Sequence, residues 1–320
     1  MLFDAFNGDA DGLCALHQMR LAEPAEATLV TGVKRDIGLL KKIDARAGDS
    51  ILALDIAVEK NAAALAALLE IGVKVRWFDH HNPGELPTHP NFQASIDTSA
   101  DVCTSLLVDR YLGGRYRIWA VAAAFGDNLH GAARDAAEPL GLSAMQLDQL
   151  RELGECLNYN GYGENLDDLH FHPAELYRSL AAYVDPFAFV REAPEFKTLR
   201  QGYAADMALA RAMQPEAARP SGAVYMLPDA AWARRVSGVY ANELARANPE
   251  RAHALLTHSA KGHYVVSVRA PIGNKRATGA DELCKRFETG GGRKAAAGIN
   301  GLPEARIPDF IAAFFETYPT

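Results

Sequence analysis

The chain has 320 residues, 49% of them apolar, enough to bury one large core or two medium ones. Its net charge of −7 excludes a protein that coats duplex nucleic acid, and no apolar run approaches the ~20 residues that span a bilayer. Cys14, Cys103, Cys156 and Cys284 show no C-x-x-C spacing, which argues against both a zinc site and a disulfide framework.

The first 80 residues alternate between strand and helix patterns. LFDAF (2–6) is a strand, 10–22 a helix, ATLVT a strand, 36–44 a helix, SILALD a strand, 58–70 a helix and VKVRWF a strand. This rhythm predicts an α/β fold, a parallel sheet with helices on both faces. FQASI adds a further strand, and helices are expected at 99–112 and 116–125. From 131 to 213 the pattern is mostly helical, broken at NYNGYG and DPF, with 194–213 as a connecting helix and ARPSGA (218–223) as a linker. AVYML, HALLTH and YVVSVRA then read as strands, with helices near 279–287 and 304–317, giving a second, smaller α/β domain. The expected division is 1–190, a connecting segment 191–220, and 221–320. Residues 220–320 carry a net +4, leaving −11 on the rest, a balance that suits cations in front and phosphate contacts behind. Nothing at the N-terminus resembles a signal peptide, so a cytoplasmic protein is expected.

Ligands of open parallel sheets bind at the carboxyl ends of the strands. Acids gather there: FNGDADG supplies Asp9 and Asp11, LALDIA supplies Asp55, WFDHH supplies Asp79, His80 and His81, and AFGDNLH supplies Asp127. One such Asp is most often a helix cap, but capping does not call for histidine. Carboxylates converging on one edge repel unless divalent cations neutralise them. Oxygen ligands with one or two imidazoles suit Mn²⁺, with Mg²⁺ and Co²⁺ as competitors. Two such ions ~3.5–4 Å apart form a clamp for in-line attack on phosphorus by a shared hydroxide. A dehydrogenase is excluded, because no G-x-G-x-x-G follows the first strand.

In order and spacing, GDADG, LALD, DHH and GDN resemble the four motifs of the DHH phosphoesterase family across residues 1–130, and ADVCTSLLVDRYL (100–112) resembles the helix that follows the DHH motif. The resemblance implies one metal held by Asp11, Asp55, His80 and Asp127, and another held by Asp9 and Asp55, with Asp55 bridging. It implies that His81 faces the phosphate and that Asp79 orients its neighbouring imidazole, so His81, Asp79 and Asp9 are the candidate catalytic groups. Ala5 stands where many members carry a histidine ligand. Asn7 is the candidate to supply an amide oxygen there or to hold a water. One tightly bound ion with the other bound only together with substrate, or a non-catalytic regulatory descendant, are the alternatives this departure opens.

GGGRKAAAG (290–298), ADELCKRF (280–287) and Arg269 resemble the DHH-associated substrate-binding domain of nano-RNases and related phosphodiesterases. The resemblance implies a substrate grip by Arg269, Gly291, Gly292 and Arg293, the last standing where a histidine usually follows the glycines. Arg269, Lys275 and Arg276 in RAPIGNKRA read as a solvated loop. LNYNGYG reads as a helix-ending turn, and His170 and His172 as structural. The expected function is a two-domain, Mn²⁺-dependent phosphodiesterase that cleaves short oligonucleotides or dinucleotides across a cleft by metal-bound hydroxide. The alternatives are a phosphomonoesterase acting on pyrophosphate, polyphosphate or a phosphorylated metabolite, and a catalytically impaired nucleotide-binding protein. A homodimer is compatible with the sequence.

Overall fold

The alternation of the first hundred residues produces a parallel sheet of β1 (Leu2–Phe6), β2 (Thr28–Val30), β3 (Ser50–Leu54), β4 (Lys74–Asp79) and β5 (Phe92–Ile96), in the order β2-β1-β3-β4-β5. The structure is a computed structural model that describes residues 1–259, 261–271, 273 and 278–319. Its register decides where the chemistry falls. Phe6 pairs with Leu54, and Leu54 with Phe78, so β1, β3 and β4 finish level. The residues that follow, Asn7, Asp55 and Asp79, therefore emerge at one edge.

The chain folds into two compact units, Met1–Gly202 and Tyr203–Thr320. In the first, helices α1 (Ala10–Ala22), α2 (Val58–Glu70) and α3 (Thr104–Tyr111) pack against the strands, and α4 (Arg117–Gly126), α5 (His130–Ala137), α6 (Ala144–Gly161), α7 (Pro173–Ala181) and α8 (Pro186–Glu192) pack mainly on other helices. The apolar stripe of α2, Leu65, Leu68 and Leu69, packs with Phe3, Ile51, Val75 and Trp77. Each large side chain buried this fully contributes about 1.5–3 kcal/mol. The Trp77 indole N–H donates to the Ile56 carbonyl at 2.9 Å, so its polar end is satisfied. α1 is buried from Ala10 to Met19, and α4 from Trp119 to Gly126. α4 and α6 approach at Gly154, where a Cβ would lie 2.0 Å from the Ala122 carbonyl oxygen. That contact fixes the C-terminal end of α4 beside the last turns of α6.

The second unit holds a mixed sheet of β6 (Ala217–Arg219), β7 (Gly222–Leu227), β8 (Ala252–His258), β9 (His263–Arg269), β10 (Gly290–Gly292) and β11 (Ala296–Pro303), in the order β10-β11-β9-β8-β7-β6. α9 (Pro194–Ala212) runs through the boundary between the units, and α10 (Ala231–Ala247), α11 (Ala280–Cys284) and α12 (Ile307–Thr317) complete the chain. The core of this unit joins Val224, Leu256 and Val266 to Phe310 and Phe314. No helix among the described residues is long and apolar enough to cross a membrane.

Four expectations are corrected. The helix expected at 36–44 is a single 3₁₀ turn, Leu40–Lys42. The buried Asn61 amide captures that segment's backbone, accepting from Leu40 N at 3.1 Å and donating to the Ile37 carbonyl at 2.8 Å. The 218–223 linker is instead the turn of a hairpin, in which Arg219 pairs with Gly222. The glycine-rich loop 290–298 is also a hairpin: Gly290 pairs with Ile299, Gly291 with Gly298 and Gly292 with Ala297. The break at NYNGYG comes later than expected, because α6 continues through it to Gly161. α10 and β11 lie in stretches where no element was expected.

Candidate metal centre

Asp9 and Asp11 are placed by the tight passage from β1 into α1. Asp9 caps the helix, its Oδ1 accepting from the backbone N–H of Asp11 at 3.0 Å and Gly12 at 3.1 Å. Asp11 turns inward and is fully buried. Its two oxygens accept from the backbone N–H of Thr104 and Ser105 at the start of α3, each at 2.7 Å. Asp55 has φ +58°, a left-handed conformation that costs a non-glycine residue about 1–3 kcal/mol and persists where the surroundings impose it. Its N–H donates to the Phe78 carbonyl, and its Oδ1 accepts from the Thr104 hydroxyl at 3.0 Å. Asp127 caps the C-terminal end of α4, where the helix dipole disfavours a carboxylate.

His80 lies between these acids. Its Nδ1 is 2.8 Å from the Val102 carbonyl oxygen, which can only accept, so Nδ1 carries the proton. Nε2 then faces Asp55 Oδ1 at 3.5 Å and Asp127 Oδ2 at 3.7 Å. With Nδ1 taken up by the carbonyl, Nε2 is the ring atom left to face the carboxylates, the orientation of an imidazole that ligates a metal. Asp11, His80 and Asp127 each offer a ligand atom within 4.8 Å of the others, as do Asp55, His80 and His81. His81 Nδ1 is 2.7 Å from Asp79 Oδ1, so Asp79 is bonded to His81 rather than His80, and its buried Oδ2 has no hydrogen-bond partner.

The electrostatics follow from this crowding. Burial, then Asp11, Asp9, Asp127 and Asp79, push the Asp55 carboxyl well above the usual range. Burial and Asp127 push Asp11 up as well. Burial also acts to raise Asp127, but Lys34 and His80 outweigh it and hold this carboxyl below its ordinary value. Burial lowers His81, yet the Asp79 carboxylate outweighs it and the imidazole ends above its ordinary value.

Sequence reasoning missed Lys34. The acids stand at the ends of the first, third and fourth strands, and the only signal for Lys34 is the basic pair in TGVKRD after the second. Lys34 Nζ forms an ion pair with Asp9 Oδ2 and donates to Asp127 Oδ1 at 3.1 Å and Asn158 Oδ1 at 3.2 Å. It lies 5.5 Å from the Tyr162 ring centroid. Asn158 and Tyr162 come from the stretch read as a helix-ending turn. Gly161 in the same turn presses on Asp9, where a Cβ would lie 2.9 Å from both Asp9 Cα and Cβ. Asn7 donates to the Lys34 carbonyl at 3.4 Å and keeps a buried, unpartnered Oδ1. His172 caps α7, and His170 meets the Tyr159 hydroxyl at 2.7 Å; both contacts serve local structure.

The other expected substrate contacts lie in the second unit. Arg269 Nε donates to Asn242 Oδ1 at 2.7 Å. Arg293 is exposed beside the hairpin turn, its N–H donating to the Ala296 carbonyl at 2.9 Å. Gly291 faces open space, and Gly292 has φ +141° with Ala297 packed against it. Lys275 and Arg276 lie outside the described residues.

This architecture, a parallel sheet with an acid-and-histidine edge followed by a mixed-sheet unit, is the fold of the DHH phosphoesterases. The solved structures that share it include exonuclease RecJ bound to manganese, at 20% identity and TM-score 0.61 over 99% of this chain and 89% of that one. A pGpG-specific phosphodiesterase, PggH from Vibrio, matches at 17% identity and TM-score 0.57, over 99% and 98% of the two chains. An exopolyphosphatase-related protein from Bacteroides fragilis matches at 13% identity and TM-score 0.50, over 99% and 90%. No family model matches the sequence. No curated protein matches it either.

Proposed function

We propose that the chain is a metal-dependent phosphodiesterase acting on dinucleotides or short oligonucleotides. The observation that carries this reading is His80, held through Nδ1 by the Val102 carbonyl, with Nε2 turned toward Asp55 and Asp127 at 3.5 and 3.7 Å. It stands at the level ends of β3 and β4, in a fold shared with a manganese-bound exonuclease and a pGpG phosphodiesterase. The donor set fits a divalent ion: Asp11, Asp55, His80 and Asp127 would hold it, and the oxygen-rich mixture favours Mn²⁺ or Mg²⁺. When bound, the ion supplies Lewis acidity toward water and a phosphoryl oxygen.

The protein's own groups do the rest. His80 is fixed in one tautomer by the Val102 carbonyl. His81 is oriented by Asp79, which raises its proton affinity and leaves Nε2 as the atom to protonate a departing oxygen. Thr104 and the N-terminal end of α3 lock Asp55 and Asp11 in place, so little rearrangement is needed during reaction. In the second unit we assign substrate contact to Arg269, Gly291, Gly292 and Arg293. Arg293 is the exposed cation among them.

Incubation of purified protein with Mn²⁺ and a panel of di- to pentanucleotides tests this reading. Release of mononucleotides is the expected result. No turnover of any of them with Mn²⁺ or Mg²⁺ overturns it, and phosphate release from polyphosphate without diester cleavage redirects it to monoester or anhydride chemistry.

A further inference from the structure

The resemblance implied an ion held by Asp9 and Asp55, and the residues present do not fit it. Both Asp9 oxygens are engaged, Oδ1 by the backbone N–H of Asp11 and Gly12 and Oδ2 by Lys34. Asp9 belongs to neither cluster of candidate ligands found among the described residues. An ammonium has three hydrogens, and Lys34 has one acceptor for each: Asp9, Asp127 and Asn158. The side chain is only 24% exposed, and its backbone is pinned by the bond from Lys34 N to the Gly161 carbonyl at 2.8 Å. Asp127 joins the two halves of the centre, Oδ1 to Lys34 and Oδ2 toward His80.

We propose that the Lys34 ammonium is a built-in cation of the centre. It fills the Asp9–Asp127 side that a second divalent ion would need, so the chain binds a single ion on the His80 side. This rests on the reading of the His80 cluster as a metal site. A fixed monovalent charge differs from a metal in a way that matters chemically: chelators cannot strip it, and it arrives with the fold. The Lys34 side supplies positive charge near the reacting phosphate, and the exchangeable ion on the His80 side supplies Lewis acidity.

The test is the number and coupling of Mn²⁺ ions, read by calorimetric titration and by electron paramagnetic resonance on the full chain. Wild type is expected to take one ion, with the spectrum of an isolated Mn²⁺ and a hyperbolic dependence of rate on Mn²⁺. Lys34→Gln and Lys34→Ala free the Asp9 carboxylate and are expected to take two, with the isolated signal lost to spin coupling. Lys34→Arg keeps the charge and is expected to stay at one. Two coupled ions in wild type overturn the proposal and leave the phosphoesterase reading standing, as does a folded Lys34→Gln that still takes one. No Mn²⁺ bound to wild type overturns both. Should the Lys34 variants fail to fold, the wild-type count decides alone.

Discussion

Asp55→Asn should stabilise the metal-free protein while abolishing its activity. Asp55 is 2% exposed and shares its surroundings with Asp9, Asp11, Asp79 and Asp127, so its ionised form is disfavoured in the folded state. A carboxyl whose folded pKa is raised contributes stability that is complete below the unfolded pKa and is lost as pH rises through the folded one. The loss therefore begins near the ordinary value of 3.8 and grows with pH up to the raised value. It cannot exceed the cost of protonating a free carboxyl, which at pH 7 is about 4.4 kcal/mol, at ~1.4 kcal/mol for each unit above 3.8. Asparagine removes this penalty, tolerates φ +58°, and can still accept from the Thr104 hydroxyl at Oδ1. The expected gain at pH 7 is roughly 1–3 kcal/mol, a rise in Tm of several degrees for a unit of this size. It should disappear near pH 4. With saturating Mn²⁺ the order reverses, because only wild type gains the binding energy. Thermal melts of both proteins in EDTA and in Mn²⁺, from pH 4 to 8, measure all of this. An Asp55→Asn protein less stable than wild type in EDTA at pH 7, or a difference that ignores pH, refutes the idea of mutually repelling carboxylates awaiting a cation.

Asp79→Asn removes the carboxylate that raises the His81 imidazole. The alkaline limb of the kcat profile should move to lower pH, whereas His81→Ala should cost about 10²–10⁴ in kcat and abolish that limb. Gly161→Ala drives a methyl into Asp9, so the last turn of α6 must shift. The expected cost is about 1–3 kcal/mol in denaturant melts, together with weakened Lys34–Asn158 geometry, visible as an altered Mn²⁺ titration. Arg293→Ala should raise KM for dinucleotides several-fold at nearly constant kcat, since it removes an exposed cation and no buried contact; a fall in kcat with KM unchanged would place Arg293 elsewhere in the reaction.

Period and punctuation made the parallel sheet legible. Short strands of three to six mostly apolar residues alternate with helical patterns, and the level register of β1, β3 and β4 then brings together acids far apart in sequence. The failures have local causes. Residues 36–44 carry Ile37, Leu39 and Leu40, but their backbone is bonded by the side chain of Asn61, 21 residues beyond Leu40. No local pattern reveals that. GGGRKAAAG looked like a loop because glycine is a poor strand former. Cross-strand pairing supplies the order that propensity lacks, and Ala296–Pro303 forms a strand against Arg269 and its neighbours. Asn158 and Tyr162 were hidden because a turn of polar residues at a helix end is usually only a turn.

Lys34 exposes a different gap, one in the charge argument itself. The sequence predicts repulsion among the strand-end acids, and the inference drawn from it was that mobile ions supply the whole compensation. A cation following the second strand satisfies the same electrostatics, and Lys34 stands against the two acids, Asp9 and Asp127, at one side of the cluster. Of the remaining acids, Asp79 is bonded to His81, while Asp11 and Asp55 have no lysine or arginine among their hydrogen-bond and ion-pair partners in the described residues, and these two are the carboxyls pushed upward. The proposed metal site therefore follows the uncompensated charge. An acidic cluster in a sequence gives the sign of what must be bound, and the basic residues at the same sheet edge decide how much of that charge must come from solution.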